Sequence, residues 1–187
     1  MVAEVVQYIA GTVKVRSNEA DCMYSGIMVD TNNFTAKTGV RTFEAAAFLR
    51  RCGADVTRVR KMFRDGAREY KAKAEAVRNA EIYKNAYAMG ICPSEGLDSP
   101  TEIGAQATNE LLGINGIKAS FVVTEYNVKI YISARSIDEV NVQIIMERLG
   151  GGGHMNIAGA QLPDTTPERA VFVVKETLNQ MLEEGAL

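Results

Sequence analysis

The sequence is poor in the residues that build metal centres and disulfide frameworks. Its 187 residues include a single histidine, His154, and three cysteines, Cys22, Cys52 and Cys92. The cysteines are odd in number and widely spaced, and no CxxC pair occurs. Neither a disulfide scaffold nor a zinc site is therefore predicted. Three reduced thiols are typical of a cytoplasmic protein, which is the compartment we expect.

A strong net charge and a long apolar run are also missing. The 21 basic and 23 acidic residues are well mixed and give a net charge of -2. This balance argues against a broad basic surface for long nucleic acid, but it leaves a short nucleotide open as a ligand. No run of about 18 apolar residues occurs, so no membrane contact is predicted. The opening residues, MVAEVVQYIA, lack the basic segment of a secretory signal.

The first third of the chain has helical patterns. Apolar residues recur at helical spacing over 2–9. Thr42 is predicted to cap a helix that stops before Gly53, and Asp55 is predicted to begin another. From about 67 to 83 the composition changes to Ala, Lys, Glu, Arg and Asn with little apolar face. We interpret this stretch as a connecting helix between two packing units, with an ordinary surface helix as the alternative.

The last hundred residues mix strands and helices. A strand is predicted over 86–91, and Ser99 with Glu102 forms a capping-box pattern for a helix to Leu112. Two β-branched runs joined at Tyr126-Asn127 indicate a hairpin, and Thr165 or Thr166 before Pro167 opens a final helix. The predicted organisation is a first segment at 1–66, a connecting helix at 67–85, and an α/β domain at 86–187.

Four consecutive glycines precede the single histidine. The run Gly150, Gly151, Gly152, Gly153 and His154 follows an amphipathic helical pattern. Such glycines cost conformational entropy, and close approach of backbone N–H groups to a phosphate or a base would explain them. His154 adds a side-chain hydrogen-bond donor beside these glycines. A flexible linker is the rival explanation, but helical and apolar segments frame the run closely.

This run resembles the GGGGH substrate-binding motif of DHHA1 domains, which belong to the DHH/DHHA1 phosphoesterase superfamily. Ser133-Ala134-Arg135-Ser136 resembles the SxRS segment of the same family. The resemblance implies that Ser133, Arg135, Ser136, the four glycines and His154 bind the substrate. An Arg fork suits phosphate oxygens, while hydroxyls and glycine amides supply neutral donors.

Upstream, the segment GIMVDTNNF at 26–34 is similar to the last metal-ligand motif of DHH domains, in which the Asp binds a catalytic Mn²⁺ pair. The resemblance implies Asp30 as a metal ligand, and it continues through 38–48. The other DHH motifs, including the HxD, are absent, although two metal ions need several His and Asp ligands. We therefore expect a DHHA1-type mixed sheet flanked by helices, preceded by the helical tail of a truncated DHH domain.

Within the superfamily, 26–34 and 133–149 most resemble bacterial cyclic-di-AMP phosphodiesterases. This implies a parent enzyme that hydrolyses the cyclic dinucleotide to a linear one with two Mn²⁺ ions, whereas this part binds a cyclic or short linear dinucleotide and is inactive alone. The parent would be anchored to a membrane through segments outside this chain, and a homodimer is left open. Three alternatives remain: a complete short protein that has lost catalysis, an oligoribonuclease that also dephosphorylates adenosine bisphosphate, and a non-catalytic RNA-binding module.

Overall fold

The computed structural model describes residues 1–9, 14–35, 37–137 and 139–187. The chain divides into two compact units, Met1–Arg64 and Asp65–Leu187. The first unit is built from helices, and the second is a mixed sheet with helices on both faces. This architecture confirms the predicted fold class.

Four helices form the described part of the first unit. They are α1 (Val2–Ile9), α2 (Ser17–Asp30), α3 (Val40–Arg51) and α4 (Val56–Met62). Their apolar faces meet in a core of small and medium side chains: Ala3, Ala20, Tyr24, Ala45, Ala46, Leu49, Ala54 and Val59. No helix in the described ranges is both long enough and apolar enough to cross a membrane.

Local capping decides where two of these helices begin. Asp55 caps α4 as predicted, because its carboxylate accepts a hydrogen bond from the amide of Thr57 at 2.7 Å. The prediction for Thr42 is wrong, since α3 starts earlier, at Val40. Thr42 instead lies in the first turn, where its hydroxyl accepts a hydrogen bond from the amide of Gly39 at 3.4 Å.

The second unit is organised around a six-stranded sheet with the strand order β1-β2-β3-β4-β6-β5. Strands β2 and β3 are parallel, and the other neighbouring pairs are antiparallel. The strands are β1 (Glu81–Tyr83), β2 (Tyr87–Cys92), β3 (Ala119–Tyr126), β4 (Lys129–Ser136), β5 (Gly152–His154) and β6 (Ile157–Leu162). Asn127 and Val128 have positive φ and form the two-residue turn of the predicted hairpin.

Helices α5 (Ala67–Arg78) and α6 (Pro100–Leu112) pack on one face of this sheet, where their buried side chains surround Val122. The bounds of α6 match the prediction, although the side chain of Ser99 makes no capping hydrogen bond. The predicted connecting helix, 67–85, extends beyond the helix in the structure, because α5 ends at Arg78 and β1 follows. Its buried alanines also make α5 part of the second unit.

The opposite face of the sheet is covered by α7 (Val142–Arg148) and α8 (Pro167–Glu183). Val142, Ile145 and Met146 of α7 are fully buried there, as their spacing predicted. Thr166 caps α8, since its hydroxyl accepts a hydrogen bond from the amide of Arg169 at 3.2 Å. With both helices on this side, the main hydrophobic core of the unit lies on this face of the sheet.

Candidate functional site

Three residues from three strands form a row across the end of the sheet. Arg135 on β4 lies opposite Ile157 on β6, and Ile157 lies opposite His154 on β5. Residues directly opposite each other on neighbouring strands project to the same side of a sheet. The strand register therefore brings Arg135 and His154, which the sequence places 19 positions apart, onto one face with an apolar residue between them.

A second row runs parallel to the first and carries almost no side chains. Ser133 lies opposite Gly159, which in turn lies opposite Gly152. Because side chains two residues apart on a strand share a face, this row is on the same side as Arg135 and His154. We call the surface made by these six residues the open face. Its members are half-buried or exposed, because α5 and α6 cover the other end of this side.

Ser136 does not belong to the open face. It follows Arg135 directly on β4, so its side chain projects to the opposite side of the sheet. There it is only 5% exposed, and its hydroxyl donates a hydrogen bond to the carbonyl of Met155 at 3.4 Å. The structure therefore gives no support to the predicted substrate contact of Ser136. Its hydroxyl instead connects β4 to the turn after β5 through this hydrogen bond.

Arg135 has no ion-pair partner among the residues that the structure describes. Its guanidinium is half-buried, and one N–H donates to the carbonyl of Ala134 at 2.9 Å. Burial lowers the pKa of the guanidinium, but an arginine remains a cation at neutral pH. The remaining N–H groups are thus suited to bind an anion.

His154 completes the row at the edge of the sheet. Its side chain is exposed, and β5 is the last strand. The imidazole is therefore accessible from the open face.

The first two glycines of the run end helix α7. The amide of Gly150 donates to the carbonyl of Glu147 at 3.0 Å, and the amide of Gly151 donates to the carbonyl of Met146 at 2.8 Å. Gly150 has a φ of 76°, so these two bonds form a Schellman motif. The predicted role of all four glycine amides in binding a ligand is corrected here, since the helix end uses two of them.

Gly153 and Gly152 differ in what the fold requires of them. Gly153 has a φ of 150°, and a Cβ there would lie 2.5 Å from the Cα of Ala158. It must be glycine for β5 to pack on β6. A Cβ at Gly152 would meet no atom within 4 Å, and its φ is not in the left-handed region. The fold does not need a glycine at 152, and the missing side chain leaves space above the open face.

Asp30, the predicted metal ligand, lies in the first unit. It is exposed at the end of α2 and borders a cavity of about 780 Å³ that Glu4, Lys37 and Arg41 also line. The carboxylate of Glu4 accepts a hydrogen bond from Arg41 Nε at 2.7 Å, which lowers the pKa of Glu4. No cluster of three or more His, Cys, Asp or Glu side chains occurs within the described residues. These residues do not fit a two-metal centre.

Sequence reasoning missed two members of the open face, Ile157 and Gly159. The signal for them is the order of residues in β6, in which Ile157, Gly159 and Gln161 alternate with the buried Ala158 and Ala160. This alternation predicts a strand with one buried side.

Comparison with known proteins identifies the family. Residues 87–184 match the DHHA1 domain family, which is just over half of the chain. The chain therefore belongs to this family, and with it to the DHH/DHHA1 phosphoesterase superfamily. The resemblance drawn from the glycine run and the SxRS segment is confirmed.

Two curated relatives are similar over most of the chain. It is 39% identical over 186 residues to the cyclic-di-AMP phosphodiesterase GdpP of Geobacillus thermodenitrificans, which covers 99% of the chain and 28% of that relative. It is 41% identical over 167 residues to the cyclic-di-AMP phosphodiesterase PdeA of Listeria monocytogenes, covering 89% of the chain and 25% of that protein. The chain thus spans about a quarter of the length of these relatives.

A solved structure shares the fold. The crystal structure of an exopolyphosphatase-related protein from Bacteroides fragilis matches with a TM-score of 0.82 and 23% sequence identity. The match covers 96% of this chain and 56% of the other. At this identity the likeness supports the architecture described above and says nothing about the substrate.

Proposed function

We propose that this chain is the nucleotide-holding part of a phosphodiesterase that hydrolyses cyclic-di-AMP to a linear dinucleotide. The observation that carries the proposal is the half-buried Arg135, in one row with His154 on the open face and without an ion-pair partner among the described residues. The substrate class is suggested by the two relatives named as cyclic-di-AMP phosphodiesterases. The similarity to the relative from Geobacillus thermodenitrificans extends over 99% of the chain and therefore includes both of its units.

The open face has the chemistry that a dinucleotide needs. The guanidinium of Arg135 can bind two oxygens of one phosphate, which gives a strong and directional contact. Arg135 and His154 are two strand spacings apart, roughly 10 Å, so one ligand can contact both. Ile157 lies between them, while Gly152 and Gly159 in the neighbouring row add no side chains and Ser133 adds a hydroxyl there. We propose these residues as the binding site.

The hydrolytic step is assigned to residues outside this chain. The described donors around Asp30 do not form a two-ion centre, and activation of water by metal requires a complete ligand set. We propose that the first unit, close to 1–66, is the remnant of a DHH domain and that Asp30 contributes one ligand to a Mn²⁺ pair in the longer protein. A cytoplasmic location and a homodimer remain predictions. The chain alone should bind without turnover.

Calorimetric titration of the 187-residue chain with cyclic-di-AMP and with linear diadenylate tests this proposal. We expect binding to both ligands and no hydrolysis when Mn²⁺ is added. Arg135→Ala should weaken binding at least about tenfold, as expected for loss of a charge-assisted contact. The matched control Arg169→Ala removes an exposed arginine from α8, on the other side of the sheet, and should leave the affinity unchanged.

The same titration separates the alternative functions. A clear preference for RNAs of two to five nucleotides or for adenosine 3′,5′-bisphosphate would favour an oligoribonuclease. Binding of only longer RNA would favour a non-catalytic RNA-binding module. If the chain binds neither dinucleotide, the proposed role of the open face is wrong.

A further inference from the structure

Ile157 is a large apolar side chain left in solvent at the centre of the open face. It is 50% exposed, although its neighbours on β6, Ala158 and Ala160, are buried. The residues opposite it on the two adjacent strands are Arg135 and His154. An exposed apolar residue between two polar ones loses contact with water when a flat apolar group covers it, and that burial is favourable.

We propose that Ile157 is the contact surface for a nucleobase of the bound nucleotide, with the phosphate of the same nucleotide at Arg135. This inference rests on the proposed function and adds a specificity-determining residue to it. The anionic phosphate complements the cationic guanidinium, which forms no ion pair within the described ranges; Arg135 lies one strand spacing, roughly 5 Å, from Ile157. The next residue of β6 on this side is Gly159, so no side chain on that strand obstructs a ring lying on Ile157.

The size of the apolar surface favours a base over a protein partner. On the open face, Ile157 is the single large apolar residue, and it is bordered by the donors of Arg135, Ser133 and His154. A stable protein interface requires about 800 Å² from each partner, whereas a base needs a surface of about one side chain. A small ring held by apolar contact and a phosphate held by charge together match this narrow strip.

A preference among bases follows from the nature of the contact. The side chain of Ile157 offers no hydrogen-bond donor or acceptor, so it responds to the apolar area of the ring. A purine covers more of that surface than a pyrimidine does. We therefore expect adenosine and guanosine monophosphates to bind more tightly than cytidine and uridine monophosphates.

The test compares a ligand that has a base with one that does not. The intact chain is titrated with AMP and with ribose 5-phosphate, and amide chemical shifts in NMR spectra give both affinities. Ile157→Ala should weaken AMP binding about fivefold and leave ribose 5-phosphate unchanged. Ile157→Thr keeps the β-branched side chain that strands favour and should give the same result. Arg135→Ala should weaken both ligands.

A matched control comes from the opposite side of the sheet. Ile91 on β2 is also partly exposed, at 36%, and lies outside the open face. Ile91→Ala should change neither affinity. The inference would be overturned if the Ile157 variants lost affinity equally for both ligands or lost affinity for neither. In that case, weaker binding of both ligands by Arg135→Ala would leave the proposed function intact. If Arg135→Ala also changes nothing, the proposed function and the inference both fail.

Discussion

Substitution of the glycines one at a time should separate binding from stability. Gly152→Ala places a methyl group where no atom lies within 4 Å and where the backbone conformation suits alanine. In the free protein this change should be neutral or should stabilise by about 0.5 kcal/mol, since alanine restricts the unfolded chain. The same methyl group projects over the open face beside Gly159. It should therefore weaken dinucleotide binding about tenfold, the cost expected when a fitted contact is overpacked.

Gly151→Ala should instead destabilise the folded protein. A Cβ at this position would meet the carbonyl oxygen of Gly159 and would lie 2.6 Å from the Cα of Ala160. These are backbone atoms of β6, so relief of the clash requires a shift of the strand. We expect the free energy of unfolding to fall by about 3 kcal/mol, which is at the upper end of the cost of overpacking. This corresponds to a fall of about 6–12 °C in Tm.

Thermal unfolding followed by circular dichroism gives the stability of each variant, and calorimetry with linear diadenylate gives the affinity. The expected pattern is an unchanged or slightly raised Tm with weaker binding for Gly152→Ala, and a markedly lower Tm for Gly151→Ala. Unchanged affinity in Gly152→Ala would refute the location of the ligand on the open face. A large loss of stability in that variant would refute the assignment of Gly152 as a glycine that the fold does not require.

Four further predictions follow from the structure. Arg135→Ala should lower dinucleotide affinity by about ten- to hundredfold. This loss should exceed that in His154→Ala, because a bidentate charge-assisted contact is the stronger one. Equal losses of affinity in the two variants, measured by calorimetry, would argue that the guanidinium faces solvent. His154→Ala should weaken binding without changing Tm, since the ring is exposed at the sheet edge, and a lower Tm would reveal a structural role. Asp30→Ala should not alter dinucleotide affinity in this chain, and a large loss would mean that this carboxylate contacts the ligand directly. Asp21→Asn should destabilise the first unit, because the buried carboxylate accepts a hydrogen bond from Arg58 Nε at 2.7 Å and its pKa is lowered by Arg58. Because the pKa of Asp21 is lowered in the folded state, this stabilisation is present above the ordinary pKa of Asp and is lost on acidification. Tm should therefore fall more steeply with decreasing pH in the original protein than in the variant. Parallel curves of Tm against pH would contradict this reasoning.

Local signals in the sequence predicted most of the elements. The cap at Asp55, the hairpin turn at Asn127 and the start of α8 after Thr166 depend on neighbouring residues alone. The short strands β1 and β5 could not be predicted in this way, because three residues show no periodicity. Their pairing is set by strands that lie beside them in the folded sheet.

The candidate site was predicted in part for the same reason. The motif resemblance pointed to Arg135 and His154, but the motif alone did not separate them from Ser136. Consecutive residues on a strand project to opposite sides, so alternation along β4 excludes Ser136 from a face that contains Arg135. The different tasks of the four glycines depend on the helix end and on the register of β5 with β6. Neither can be derived from the glycine run itself.

The most direct test of the central claim is to map where linear diadenylate binds on the chain. Titration of the isotope-labelled protein with this ligand, followed through its amide resonances, locates the contact surface residue by residue. If the ligand binds on the open face, the largest shifts will occur at Ser133, Arg135, Gly152, His154 and Ile157. Shifts concentrated on α8 or around Asp30, with the open face unchanged, would contradict binding at this site.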